Sequence, residues 1–525
     1  MPSFQPARAG ASVILALAAL SACVPVRPVY VVVTATNAPL AVLTATDAPE
    51  VPATQVAQAA ALALIVPTPD AVLSGTAETS AREHLVRPGD TLSGIAGLHG
   101  VSVAALLEIN ALANPDILAV GQVVYLPGLP QDTTPLLKIL PDSLLVRGPG
   151  AAQFDTAAFI GGQPGYIRAA VDEIDGAVFS AAEIVERVSL EFGVDARLLL
   201  ALLELRAGWL TDAAPSGVLQ THPLGAPASP FGFDRSGLYR QLAWAADRLN
   251  EGYYGWKYSG RVAVELESGE RLRFAPGLNA ATIGVQHMLS LYNAHDRWLR
   301  EVGPDGLYAV YRAHFGDPFA APLDILVPAG LAQPPLTLPF ASGETWFFTG
   351  GPHGGWGSGS AWSAVDFAPP DDLALVDSSC YVSAYTVRAA AAGVVTHSAD
   401  GVVVLDLDGD GDDATGWSVL YLHIDADGRV PAGAAVSAGD PIGRASCEGG
   451  VSNGTHVHIA RRYNGEWIPA DCSACPPERA TPPFILSGWT VYGLTGQEYQ
   501  GYLARNSERR TAEQGRQAAD NLISW

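Results

Sequence analysis

Charge is scarce in this chain. Only 16% of its 525 residues are Asp, Glu, Lys or Arg, and acids outnumber bases by 53 to 30. The net charge of −23, with no long basic run to offset it, argues against a nucleic-acid or polyanion partner. Cysteine is scarce too, with five residues in all. Cys472-x-x-Cys475 has no second Cys-x-x-Cys to complete a zinc knuckle. Past the first 23 residues, no segment is long and apolar enough to span a bilayer as a helix. What is abundant is glycine (55) and proline (39), which suits a loop-rich extracytoplasmic protein. The length suggests about three or four domains.

The odd cysteine count is resolved by position. Cys23 sits in an N-terminal leader, and Cys380, Cys447, Cys472 and Cys475 lie together near the C-terminus. Those four can form two disulfides, which implies an oxidising compartment. Three pairings are open; Cys380–Cys447 with Cys472–Cys475 is the preferred one. Residues 1–23 carry Arg8, then the apolar run 11–20, then Leu20-Ser-Ala-Cys23. This is the pattern of a secretory signal, and its end resembles a bacterial lipobox. The resemblance implies a diacylglycerol on Cys23 and a mature protein held to a membrane surface. Residues 24–82 echo themselves in Thr34-Ala-Thr-Asn-Ala-Pro39 and Thr44-Ala-Thr-Asp-Ala-Pro49, and read as an extended spacer.

Residues 83–129 form a first module. His84–Val86 reads as a strand, Pro88-Gly-Asp90 as a turn, and Asp90 as a cap for the helix that follows. Leu92, Ile95 and Ala96, then Val101, Leu106, Leu107 and Ile109, keep helical spacing. Val123–Leu126 returns as a strand. The order of Arg-Pro-Gly-Asp90-Thr-Leu, Asn110-x-Leu-x-Asn114-Pro and Val-Gly-Gln122 resembles a LysM domain. That resemblance implies binding to polymers containing N-acetylglucosamine, chiefly peptidoglycan. Gly89, Asp90, Thr91, Asn114, Pro115 and Asp116 are the glycan-contact candidates.

Residues 130–179 read as a connector with a helix over 167–174, and residues 180–335 as a helical domain. Ser180 and Glu183 make a capping box. Helices are predicted at 197–209, 238–250, 280–293 and 307–314, with a turn at Gly252-Tyr-Tyr-Gly-Trp256. The arrangement resembles the lysozyme-like fold of lytic transglycosylases, whose general acid precedes Ser-Gly-aromatic. Arg206 stands where that acid belongs, and an arginine cannot donate a proton at neutral pH. Glu204 lies two positions away, on another side of the helix. The domain is therefore read as a non-catalytic spacer or glycan-gripping element.

From residue 336 short apolar runs alternate with Gly, Asp and Ser turns, predicting an antiparallel β domain over 336–495. The whole chain is thus a multidomain α+β protein: a βααβ module, an all-α middle and an all-β C-terminal domain. In a strand, residues two apart face the same side, so His456 and His458 point together. His423, His353 and Asp366 supply three more groups of metal-binding or proton-transfer chemistry. Asp406-x-Asp408-x-Asp410-Gly411 looks like the start of a Ca2+ loop, but Trp417 stands where its glutamate belongs, and an exposed hairpin turn is the preferred reading. Residues 496–525 read as a polar tail with some helical periodicity and no assigned role.

Thr349-Gly-Gly-Pro-His353, Val365-Asp366-Phe-Ala, Leu420-Tyr-Leu-His423 and Cys447-Glu-Gly-Gly-x-Ser-x-Gly-x-His456-x-His458 together resemble the lysostaphin-type zinc endopeptidases, most closely the staphylolysin and β-lytic branch. Many members place the first ligand four residues before the aspartate, where this chain has Trp362; in the staphylolysin branch it lies further upstream, as His353 does. The resemblance implies one Zn2+ per chain held by His353, Asp366 and His458, with acid/base and oxyanion work by His423 and His456. It implies hydrolysis of glycine-containing bonds in peptidoglycan stems or cross-bridges. A different reading is a non-catalytic, lipid-tethered wall-binding protein that regulates another hydrolase.

Overall fold

The computed structural model describes residues 83–525, apart from 87–89, 100, 111–117, 119–121, 127–132, 229–231, 292, 322–324, 373–377 and 516–518. The described residues all belong to one compact unit. The expectations for Cys23, for the 24–82 spacer, and for Gly89, Asn114, Pro115 and Asp116 lie outside the described residues. Among the described residues no helix is long and apolar enough to cross a membrane.

The first module is a two-stranded antiparallel sheet, Glu83–Leu85 against Val123–Tyr125, with helices Leu92–Leu98 and Val103–Asn110 between them. Val86, Leu92, Ile95, Leu106 and Val124 form its small core. Asn110 joins the second helix to the second strand: its amide donates to the Tyr125 carbonyl at 2.7 Å and accepts from the Tyr125 N–H at 2.6 Å. The helix cap is Thr91, not Asp90. Thr91 Oγ1 accepts from Gly94 N at 3.0 Å, while Asp90 is drawn aside to His84 Nε2 at 2.8 Å.

The middle region is helical. Ser180 and Glu183 make the expected capping box for helix Ala181–Phe192. Helix Ala196–Ala207 follows, with nearly every leucine buried. The 167–174 stretch differs from expectation: a 3-10 turn Tyr166–Arg168 leads into a hairpin of Val171–Ile174 and Ala177–Ser180. The aromatic segment at 252–256 is no turn either. Helix Leu238–Ser259 runs through it. Its glycine serves close helix contact instead: a Cβ on Gly252 would sit 2.7 Å from His287 Cβ, and one on Gly284 would sit 2.8 Å from the Leu249 carbonyl. Helix Ala280–Ser290 therefore packs hard against Leu238–Ser259.

The C-terminal region is an antiparallel sheet of nine strands. Its centre runs Val402–Asp406, Trp417–Leu422, Val457–Tyr463, Ala364–Ala368, Trp346–His353. Side chains alternate between its two faces. Val365, Phe367, Val403, Val419, Tyr421, Val457 and Ile459 fill one core. Asp366 and His458 face each other across the ladder, with Leu422 beside them. Ala364, Ala460, Leu420, Leu422, Val402 and Val404 lie on that same face, and they join the core of the helical region. The helices thus cover the sheet face that carries the aspartate and histidine.

The seam between the two regions is also polar. Glu466 is fully buried, and its carboxylate accepts from Lys257 Nζ at 2.8 Å and Tyr253 Oη at 3.1 Å, with Tyr258 Oη on its other oxygen at 2.5 Å. Arg462 donates to the Leu190 carbonyl, and Trp467 Nε1 to that of Phe192.

The described part of residues 496–525 carries strands rather than a tail with helical periodicity. Gln497–Arg505 and Glu508–Thr511 extend a four-stranded sheet begun by Ile485–Leu486 and Trp489–Leu494. Leu522–Ile523 pairs with the strand that ends at His353. Leu503, Ala512 and Ile523 anchor this segment in the sheet core. Disulfides join Cys380 to Cys447 and Cys472 to Cys475.

Candidate metal centre

His353 ends one strand, Asp366 lies mid-strand in the next, and His458 is directly across the ladder from Asp366. All three side chains are buried. His353 Nε2 lies 2.9 Å from His458 Nδ1 and 3.2 Å from Asp366 Oδ1; His458 Nδ1 lies 3.3 Å from the same oxygen. The other nitrogen of each ring is spoken for. His353 Nδ1–H donates to the Gly351 carbonyl at 2.8 Å, and His458 Nε2–H to that of Gly355 at 3.1 Å. In the neutral rings, the nitrogens that converge therefore carry lone pairs. Asp366 Oδ1 is buried without a hydrogen-bond partner.

Three electron-pair donors facing one point, with no proton between them, is an arrangement that calls for a cation. Without a cation, the three groups lean on one another electrostatically. Burial alone would raise the Asp366 pKa, but His353 and His456 outweigh it and hold the carboxyl well below the ordinary range. Burial resists charge on His353, yet Asp366 and the Gly351 carbonyl prevail and its pKa is raised. His458 goes the other way, lowered by burial. Two nitrogens and one carboxylate oxygen form a donor set that fits zinc with a position left open.

His423 and His456 stand beside this trio, their rings 4.5 Å apart. Both repeat the same device. His456 Nδ1–H donates to the Gly454 carbonyl at 2.7 Å and His423 Nδ1–H to that of Glu448 at 3.1 Å. Each Nε2 is left for other chemistry, and that of His456 lies 3.7 Å from Asp366 Oδ1. Burial, then His456 and His458, push the His423 pKa well below its usual value, so this imidazole is neutral at neutral pH. His423 also holds φ +68°, a left-handed conformation rare for histidine.

Two contacts were not legible in the sequence. Tyr499 stacks on His353 at 4.2 Å between ring centroids, and it too has a left-handed backbone, φ +66°. Its neighbour Glu498 accepts from Gly354 N at 3.0 Å. Both come from the segment read as a tail. The loop after His353 is held from the helical side, where Asp247 accepts from Gly359 N at 2.7 Å and Ser358 Oγ at 3.1 Å.

The remaining sequence candidates separate cleanly. Oxygens of Asp406, Asp408 and Asp410 come within 4.8 Å of one another. Asp406 accepts from Gly411 N at 2.9 Å and Asp408 N at 3.3 Å, so the segment closes on itself as the turn between two strands. Burial pushes the Asp406 carboxyl up to about 8. Glu204 accepts from Leu210 N and Thr211 Oγ1 at 2.8 and 2.6 Å, a structural role at a helix end.

Residues 376–469, which include His423, His456 and His458, match the family model "Peptidase family M23". The chain carries an M23 peptidase domain. Residues 138–328 match "LasA, N-terminal domain" and residues 84–127 "LysM domain". The helical region thus falls within the match to the LasA N-terminal domain. Protease LasA of Pseudomonas aeruginosa (strain UCBPP-PA14) is 28% identical over 361 residues, spanning 65% of this chain and 77% of its own length. N-acetylmuramoyl-L-alanine amidase XlyB of Bacillus subtilis (strain 168) is 51% identical over 49 residues, 9% of this chain and 16% of its own. The solved structure of the deep-sea M23 metalloprotease pseudoalterin is 24% identical, covering 34% of this chain and 96% of its own, with a TM-score of 0.27.

Proposed function

We propose that this chain is a zinc-dependent endopeptidase acting on glycine-containing peptide bonds of peptidoglycan stems or cross-bridges, brought to the wall by its LysM domain and tethered through a lipid on Cys23. The observation that carries the reading is the convergence of His353 Nε2, Asp366 Oδ1 and His458 Nδ1 with both outer ring nitrogens tied to carbonyls. These three residues would hold the metal. Zinc bound there would supply Lewis acidity, polarising a peptide carbonyl and easing deprotonation of water.

The chain's own groups do the rest. Neutral His423 presents Nε2 as a proton acceptor, and the ring of His456 lies beside it with its own Nε2 unclaimed by a carbonyl. One takes the proton of the attacking water and returns it to the leaving amine, a service worth about 10² to 10⁴-fold. The other stabilises the charge that grows on the carbonyl oxygen. Their Nδ1–H bonds to Glu448 and Gly454 carbonyls fix the tautomer for both tasks.

The test is chemical. Purified full chain should contain about one zinc, and it should release new amino-terminal glycine from cell walls with glycine-containing cross-bridges, read by mass spectrometry. Asp366→Ala and His458→Ala should lose both. A metal-free wild type that still cleaves, or cleavage that survives His458→Ala, would overturn the proposal.

A further inference from the structure

The helical region contains a cleft of about 530 Å³ far in sequence from the metal trio. Leu219, Leu224 and Leu291 give it apolar walls, and Arg206, Arg297 and His222 give it polar groups. The walls are built rather than incidental. Buried Gln241 accepts from Leu224 N at 3.2 Å and Ala226 N at 3.1 Å, and its amide donates back to the Ala226 carbonyl at 3.0 Å. Trp209 Nε1 donates to the Leu219 carbonyl at 2.9 Å. These bonds hold the backbone at Leu219, Leu224 and Ala226, all of which line the cleft.

The charges in the cleft do not balance. Arg206 lies 3.1 Å from Glu301, and Arg297 Nε lies 2.8 Å from the other oxygen of the same carboxylate. Two guanidiniums share one acid. The Arg206 side chain is only 7% exposed; its Nη1 donates to Asn293 Oδ1 at 3.2 Å, and its Nε has no hydrogen-bond partner. Two guanidiniums that share one carboxylate leave positive charge uncompensated, which favours a second anionic acceptor beside them. A carboxylate matches its planar fork, and a space of this size suits a short peptide or a comparable small molecule.

We propose that this cleft binds the free carboxylate end of a peptide, with Arg206 and Arg297 on the carboxylate and Leu219, Leu224 and Leu291 around the adjoining side chain. The occupant we favour is the uncrosslinked end of a wall stem peptide; that choice rests on the function proposed above, while the carboxylate preference does not. The cleft would then let the chain grip peptide ends at a point separate from the bond it cuts.

The experiment uses the full chain and calorimetric titration with diacetyl-Lys-D-Ala-D-Ala as the free acid and as its C-terminal amide. The acid should bind, and the amide should bind at least about tenfold more weakly. Arg297→Gln, at the half-exposed rim, should weaken the acid by about tenfold and leave the amide unchanged. Leu291→Trp should fill the space and abolish binding of both, with the unfolding midpoint checked to show that the variant is folded. Equal binding of acid and amide, no binding at millimolar peptide, or an affinity untouched by Arg297→Gln would overturn the proposal. Wall cleavage is assayed in parallel: cleavage without acid-selective binding removes the cleft's role alone, and acid-selective binding without cleavage removes the peptidase reading alone.

Discussion

Lys257 Nζ sits 2.8 Å from Glu466 Oε2, joining the longest helix of the middle region to a short strand beside the one that bears His458. The carboxylate has no solvent exposure and also receives two tyrosine hydroxyls. Breaking one side of such a buried pair strands the other charge. Glu466→Gln should therefore lower stability by about 3 kcal/mol, measured by urea unfolding. The double variant Glu466→Gln with Lys257→Met should recover part of the loss. An unchanged midpoint in the single variant would show that the ion pair contributes nothing to the seam.

Two adjacent glycines should respond differently to alanine. A Cβ on Gly350 would lie 2.4 Å from Asp366 Oδ2, a side-chain atom. Gly350→Ala should push the carboxylate away, leaving the chain folded with zinc affinity reduced by about tenfold or more. A Cβ on Gly351 would meet the backbone of Gln500 and Gly501 at 2.7 and 2.8 Å, which cannot swing aside. Gly351→Ala should cost about 1–3 kcal/mol of stability in addition. Competition with a chromogenic chelator and thermal melts separate the two effects.

The Cys380–Cys447 bridge spans a sequence separation of 67 residues. Chain-entropy reasoning assigns such a closure about 4 kcal/mol. Cys447 also precedes Glu448, whose carbonyl receives the His423 N–H. Cys380→Ser with Cys447→Ser should lower stability by roughly that amount and slow wall hydrolysis, whereas Cys472→Ser with Cys475→Ser, closing only a separation of 3, should do much less. Equal losses from the two pairs would refute the assignment.

Acid should weaken the helical region through His287. Burial, then Arg261, lower its pKa, against the opposing pull of Glu251, whose Oε2 lies 3.3 Å from His287 Nε2. Its folded pKa lies below the unfolded value near 6.5, so the unfolded chain binds more protons in between. Stability is then full above about pH 6.5 and declines as pH falls from there toward the folded pKa. His287→Gln should flatten the decline in Tm between about pH 7 and 5. The Glu251 carboxyl, held low by His287, Arg248 and Arg261 against burial, acts only at the acid end.

His353, Asp366 and His458 were named together because separated motifs resemble one family, and the structure brings the three to one point; other signals are local. His456 and His458 share a face by strand alternation, and the Ser180–Glu183 box announces its helix within four residues. The Cys380–Cys447 bridge followed from a short list of options. What could not be read depends on contacts between distant segments. Gly252 looked like a turn because the helix it meets, Ala280–Ser290, is remote in sequence. Tyr499 and Glu498 sit in a polar stretch whose strands are defined by partners elsewhere, so their approach to His353 and Gly354 left no pattern. The docking of the helices on the sheet was hidden for the same reason: Leu420, Leu422 and Ala460 read equally well as covered by anything apolar.

Because Ala364, Ala460, Leu420 and Leu422 complete a core begun by helices upstream, the two regions are expected to behave as one cooperative body despite the stretch 316–335, a connector between them. A protease nick in that connector would leave the fragments clasped, co-migrating on a sizing column and parting only in denaturant. Liberation of the sheet would demand digestion of the helices themselves.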